Sequence, residues 1–206
     1  ATASICVLKL GDENHVEVVT KRILRNCKRW TGPLLCSVAE EACKFAGKYR
    51  NERLTDVAVL LLRISRDQAN KYAILRLLLT TEGIPRTQLL NNLSEYLEDW
   101  DSVSIARIIC DFIASEAKNL PDPSIMIPVL FNRVNLDVAT VRMSAINTLA
   151  HIATLSEEMK NRILPLLQLF SADEDDSLRE EAILYINALS TGQDLSKLFT
   201  PFTIDN

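Results

Sequence analysis

The sequence predicts an all-α fold, an α-α superhelix of HEAT or armadillo type built from about eleven helices stacked in pairs. Three observations predict it. Apolar residues recur three and four apart through most of the 206 residues, the period of a helix with one buried face. Only five glycines and seven prolines punctuate the chain, too few for an all-β protein that turns every ~8–12 residues. One stretch also repeats itself further along without a gap.

In chain order, Ala1 to Leu10 reads as the back half of a helix stopped by Gly11, as though the chain were cut from something longer. The second helix is expected from Asn14 to Arg29, with Val16, Val19, Ile23, Cys27 and Trp30 on one face and Gly32-Pro33 ending it. A third covers Leu35 to Ala46, with Gly47 as its C-cap. Glu52 to Ile64 and Gln68 to Thr80 follow, then a break at Gly83-Ile84-Pro85. The sixth runs from Arg86 to Leu97, and the seventh from an Asp101 N-cap to Lys118. The last four are expected over Ser124–Val134, Val138–Ala153, Glu157–Phe170 and Ser177–Ser190. Residues 191–206 lose the periodicity, so the chain divides into a solenoid over 1–190 and a tail over 191–206. Phe199 and Phe202 in that tail could fold back and cover the last helix.

The repeat is the most informative feature. The stretch from Ile127 aligns with that from Leu164 at a spacing of 37: Pro128 meets Pro165, Arg142 meets Arg179, Ala145 meets Ala182, and Leu149 meets Ile186. Arg107 and Lys71 extend the cationic position backward at spacings of 35 and 36. A period of that size is one helix pair, which cannot bury its apolar face alone and must stack on neighbours. The small residue lets two helices approach. The arginines Arg107, Arg142 and Arg179 are candidates to zip successive pairs by bonding to a carboxylate or carbonyl next door. Pro128 and Pro165 are expected to kink the helices they interrupt.

Composition narrows the function. A chain 48% hydrophobic and 24% charged can bury a core, and its net charge of −4 gives no general pull toward nucleic acid. Cys6, Cys27, Cys36, Cys43 and Cys110 are odd in number, form no CxxC pair and sit among apolar residues, so they read as buried reduced thiols. His15 and His151 lie at no metal-ligand spacing from them. No apolar run reaches the ~20 residues of a bilayer span. No nucleophile elbow, P-loop, zinc-protease or dinucleotide motif is present, and the sequence implies no enzyme, no cofactor and no metal. His151, in an apolar helical stretch, reads as structural and His15 as exposed. Asp173, Glu174, Asp175 and Asp176 read as a capping loop before a helix, lacking the spacing of a calcium loop. Trp30 and Trp100, at helix ends, read as packing anchors. One surface patch stands out: Lys21, Arg22, Arg25, Lys28 and Arg29 share one arc of the second helix, opposite its apolar stripe, with Glu17 as the nearby counter-charge. A solvated face is the ordinary reading; an acidic partner or an anionic membrane surface is the alternative.

Phe131 to Leu189 resembles the end of the trunk of the gamma subunit of coatomer, the COPI vesicle coat. The matching pieces are Asn132-Arg133-Val134, Val141-Arg142, Glu157-Glu158-Met159, the acidic loop Asp173–Asp176, Arg179 and Tyr185-Ile186-Asn187. Upstream, "LSEYLEDWDSVSIARIICDFIASEA" resembles the preceding helix pair, and "LKLGDENHVEVVTKRI" matches more loosely. The resemblance implies the C-terminal part of an adaptin-like trunk, without the N-terminal half or the appendage, acting as a scaffold in Golgi-to-ER and intra-Golgi transport. It implies zeta-type and beta-type coatomer subunits and an Arf1-type small GTPase as partners. It also implies a cytoplasmic protein held peripherally on Golgi membrane and COPI vesicles through the coat. The matching positions are architectural, so the resemblance transfers no contact residues. The alternative is another HEAT scaffold, a clathrin-adaptor large subunit or a nuclear transport receptor; a transport receptor is expected to carry an acidic stripe at repeat spacing, and this chain has one acidic loop.

Overall fold

The computed structural model describes residues 1–98 and 102–193, together with Leu195 and Phe199. Among these the chain is an all-α helical solenoid of eleven α-helices with no strand. In order they are α1 (Thr2–Leu10), α2 (Val16–Asn26), α3 (Gly32–Tyr49), α4 (Glu52–Ile64), α5 (Gln68–Thr80), α6 (Arg86–Glu98), α7 (Val103–Glu116), α8 (Ile127–Leu136), α9 (Ala139–Ala153), α10 (Glu157–Phe170) and α11 (Asp176–Thr191). Short 3-10 turns flank α2 at both ends, follow α7 and lead into α8. Two compact units divide the chain, residues 1–96 and 97–205. Trp100, the expected Asp101 cap and Phe202 lie outside the described residues.

In the first unit α3 packs on α1, α4 and α5, and α2 packs on α4. The sequence of α3 shows why it can be central. Ala39, Ala42, Cys43 and Ala46 lie at i, i+3, i+4 and i+7 and are wholly buried, a strip of small side chains that lets neighbouring backbones come close. Leu54, Ala58, Leu61 and Leu62 of α4 and Ile74 and Leu78 of α5 fill the rest of the core. Lys71 is also buried, at 2% exposure, so this member of the cationic series points inward.

Two glycines depart from the expected pattern. Gly47 does not end the third helix. It lies inside α3, which runs on to Tyr49 and closes at Arg50 in the left-handed conformation (φ 49°) with its N–H on the Ala46 carbonyl. Gly47 is required by packing instead. A Cβ there would sit 2.2 Å from the backbone oxygen of Glu82, and one on Gly83 would sit 2.3 Å from the oxygen of Gly47. Gly83 also needs its positive φ of 78° to turn the chain from α5 to α6. At the other end, Gly32-Pro33 opens α3 rather than closing the helix before it; proline is welcome there because first-turn N–H groups have no helical acceptor.

In the second unit α9 is the inner helix, in contact with α7, α8, α10 and α11. Val141, Ala145, Ile146, Leu149, Ala150 and Ile152 are fully buried, leaving little of its circumference polar, as a helix packed on all sides demands. The aligned small residues Ala145 and Ala182 both have no exposure. Thr148 reaches across to the Cys110 carbonyl of α7 at 3.1 Å. Pro165 does lie inside α10 and withdraws one N–H from its ladder. Pro128 does not interrupt a helix: it sits in the first turn of α8, after a 3-10 turn, and costs no hydrogen bond.

Gly47→Ala forces a side-chain carbon into a backbone oxygen, so it is expected to lower unfolding free energy by about 1–3 kcal/mol in urea titration. A loss of a few tenths would mean that α3 and the turn at Gly83 separate freely.

Candidate interaction surface

The basic arc of α2 is formed as its helical spacing requires. Val16, Val19 and Ile23, with Cys27 in the following 3-10 turn, are buried, while Lys21, Arg22, Arg25, Lys28 and Arg29 are exposed on the other side. Lys21 bonds to Glu17 one turn back at 2.6 Å. That hydrogen bond, with the lysine's charge, lowers the Glu17 carboxyl below its ordinary value. Arg22, Arg25, Lys28 and Arg29 make no ion pair among the described residues. Two apolar side chains, Val18 at 66% and Leu24 at 46% exposure, stand among them.

Where α2 ends, Lys28, Arg29 and Trp30 border a cavity of about 310 Å³ with Arg66 from the α4–α5 connection and Asn70 from the first turn of α5. Arg66 was not singled out by the sequence, because only folding brings it beside residues almost forty positions earlier.

The arginines of the repeat behave differently from one another. Arg142, near the start of α9, donates from Nε to the Val134 carbonyl at 2.6 Å and from Nη2 to Asp173 at 2.5 Å. The first bond satisfies a carbonyl in the last turn of α8, which has no helical partner; the second joins the α8–α9 pair to the loop before α11. Arg179 donates to the Asp173 carbonyl at 2.8 Å and pairs with Asp176 in its own helix. Burial pushes the Asp173 carboxyl up, but hydrogen bonds from Arg142 and the Asp175 N–H and the charges of Arg142 and Arg179 outweigh it, and the group is held below the ordinary carboxylate value. Arg107 is exposed on α7 and acts on Asp111 one turn further along; its side chain forms no bond to another helix pair among the described residues.

The acidic loop is engaged by its own protein. Asp173 Oδ1 accepts the Asp175 N–H, and Asp175 Oδ1 accepts the N–H groups of Ser177 and Leu178 as the N-cap of α11. Asp12 likewise accepts from Asn14 and pairs with His15, both exposed. His151 is half-buried, its ring 4.6 Å from Phe199 and edge-on to it, and Phe199 also stacks on Tyr185 at 6.1 Å. One tail aromatic therefore does lie against α9 and α11. Burial, with the charge of Lys118, lowers the His151 pKa, and its Nδ1 is enclosed with no hydrogen-bond partner among the described residues. The cysteines divide: Cys27, Cys43 and Cys110 are buried, but Cys6 is exposed and Cys36 half-buried, because Cys6 lies outside the strip of α1 that meets α3. Burial, with Glu40 nearby, pushes the Cys43 thiol up to about 12. Among the described residues no helix is long and apolar enough to cross a membrane.

Comparison with known proteins points one way. The chain is 32% identical over 193 residues to coatomer subunit gamma of Arabidopsis thaliana, covering 89% of this chain and 21% of that protein. It is 29% identical over 194 residues to coatomer subunit gamma of Dictyostelium discoideum, covering 87% and 21%. It is 28% identical over 192 residues to human coatomer subunit gamma-2, covering 91% and 22%. The chain thus spans about a fifth of the length of the curated relatives it matches. No protein-family model matches it, and no solved structure does.

Removing the side chain in Arg142→Ala strands Asp173 and the Val134 carbonyl, and is expected to cost about 1–3 kcal/mol. In a double-mutant cycle Asp173→Ala should cost much less in that background than alone; full additivity would show that the pair is not coupled. The depressed pKa of His151 carries a second expectation. The unfolded chain takes up a proton near pH 6.5 while the folded ring resists it, so stability falls as pH drops below about 6.5. His151→Leu should show a smaller fall in melting temperature between about pH 7.5 and 5.5 than the parent; equal falls would exclude His151 as the titrating group.

Proposed function

We propose that this chain, alike to coatomer gamma subunits over about nine tenths of its length, is a segment of the helical trunk of a gamma-type COPI coat subunit. It serves as a structural scaffold for vesicle transport from Golgi to ER and within the Golgi. The observation that carries the reading is the agreement of relatives from a plant, an amoeba and an animal, all bearing the one name, on a chain whose helices pack as solenoid pairs. Residues 1–190 act as the trunk and 191–206 as a tail. The work is done by surfaces, not by chemistry. Its partners are other coatomer subunits, zeta-type and beta-type, with an Arf1-type small GTPase recruiting the coat. The protein then sits on the cytoplasmic side of Golgi membrane and COPI vesicles, held peripherally. Arg142, bonded to Asp173, supports this role by fixing one helix pair against the next, and Arg179 holds the loop of Asp173 within its own pair, since a scaffold positions partners only as well as its own pairs are fixed.

The test is co-purification from eukaryotic cytosol with the tagged chain as bait, against an unrelated HEAT segment. Enrichment of beta-type or zeta-type coatomer subunits is expected. Enrichment of clathrin-adaptor subunits or Ran in their place, or of no coat subunit at all, would overturn the reading.

A further inference from the structure

The grooves between helix pairs are not chemically alike. The groove bearing Asp56, Arg63 and Glu95 carries two carboxylates and one cation, and Arg63 lies 3.8 Å from Glu95. The one at Lys118, Asp122 and Glu158 is again mostly acidic. The cavity at the end of α2 is the reverse: Lys28, Arg29 and Arg66 line it against the single carboxylate of Asp67. Asp67 is already committed, its Oδ2 accepting the Asn70 N–H at 3.0 Å as the N-cap of α5. The three cations make no ion pair among the described residues and are exposed.

Further donors face the same space. Asn70 lines the cavity, and its Oδ1 lies 3.2 Å from the Cys36 thiol. Its Nδ2 is turned toward Gly32, at 2.1 Å from where a Cβ on that residue would stand. The first turn of α3 begins at Gly32, and Thr31 provides no side-chain cap, so the positive end of an 18-residue helix also borders the cavity. Its volume of about 310 Å³ lies in the range of small-molecule sites.

We propose that the cavity formed by Lys28, Arg29, Arg66 and Asn70 at the N-terminus of α3 binds a phosphomonoester, the phosphorylated headgroup of an anionic membrane lipid. Guanidinium and ammonium groups around an uncapped helix terminus are the donor set that phosphate oxygens require. The surface around it selects the source. Arg22 and Arg25 continue the cationic face along α2, and exposed Val18 and Leu24 stand among them. Cations interleaved with apolar side chains along one exposed helix face suit the boundary between lipid headgroups and acyl chains. The inference does not rest on the coat reading, and a purified chain tests it without any coat subunit.

The experiment is vesicle co-sedimentation of the purified chain with phosphatidylcholine vesicles carrying either a phosphoinositide or phosphatidylserine at matched surface charge. Stronger binding to the phosphoinositide is expected. The triple variant Lys28→Gln, Arg29→Gln, Arg66→Gln should lose at least about tenfold in that binding and lose the preference. The triple variant Lys21→Gln, Arg22→Gln, Arg25→Gln removes the same charge from the surrounding face and should weaken both vesicle types while keeping the preference. In a Trp100→Phe background the fluorescence of Trp30, which borders the cavity, should shift when the soluble headgroup, an inositol phosphate, is added. That shift without vesicle retention would assign the site to the free phosphate ester and overturn the lipid source. Equal binding to both vesicle types, or equal effects of the two triple variants, would reduce the feature to diffuse surface charge and overturn the proposal. Retention by a phosphopeptide column with no response to inositol phosphate would overturn it equally.

Discussion

Everything in each unit depends on one helix being apolar on more than one side. A single amphipathic helix pair in water leaves half its apolar surface exposed, and the cure is an inner helix that neighbours can reach from several directions. In the first unit that helix is α3 and in the second it is α9. They meet the demand in different ways. The small strip Ala39, Ala42, Cys43 and Ala46 brings backbones near enough that Gly47 and Gly83 leave no room for a Cβ. In α9 the larger side chains Val141, Ile146, Leu149 and Ile152 are buried along with Ala145 and Ala150, so neighbours are held by interdigitation. The contrast explains why a glycine is indispensable in α3 while α9 contains none.

Stacking of this kind creates a second problem, which the polar residues answer. Every helix end leaves backbone groups without helical partners, and eleven helices make many ends. The N-termini of α4, α5, α10 and α11 are closed by the side chains of Asn51, Asp67, Ser156 and Asp175. Carbonyls near the C-termini of α5 and α8 are taken by arginines from further along the chain, Arg86 on Leu79 and Arg142 on Val134. The pieces that resemble the gamma subunit acquire a physical meaning from this. Val134 supplies the acceptor and Arg142 the donor. Arg133 pairs with Asp137 at 3.5 Å, and Tyr185 bonds to Glu181. Arg133, Val134 and Arg142 build the corner where α8, α9 and the α10–α11 loop meet, while Tyr185 lies further along α11.

Helix positions were legible in the sequence because burial on one face writes a 3.6-residue period. The spans expected for α4, α5 and α10 agree with the structure to the residue. What the period cannot reveal is the purpose of an isolated glycine or proline. Gly47 resembled a cap and is a close-approach position; Pro128 resembled a kink and opens a helix. Both depend on what a neighbouring segment does, which periodicity does not encode. The arc on α2 was legible for the same reason as its helix, since the spacing of Lys21 to Arg29 alone decides the face. The cationic series was less so. Lys71 is buried, Arg107 stays on its own helix, and Arg142 reaches out. One sequence position thus hosts three different environments.

The cavity beside α2 illustrates where specificity can arise in such a fold. The core of each pair is constrained to be apolar and the helix faces are constrained by solubility, so little freedom remains there. At the turns between pairs, side chains far apart in sequence meet without having to satisfy either constraint. Lys28 and Arg29 belong to the end of one helix, Arg66 to the connection after α4, and Asn70 to the first turn of α5. The groove at Glu158 has the same origin, whereas the one at Glu95 is lined by the faces of α4 and α6; both carry more carboxylates than cations. Repetition therefore supplies the grooves, and local sequence determines which of them can take an anion. Like charges at a turn repel one another and are retained at some cost to stability, and the proposed anion site would offset that cost at Lys28, Arg29 and Arg66.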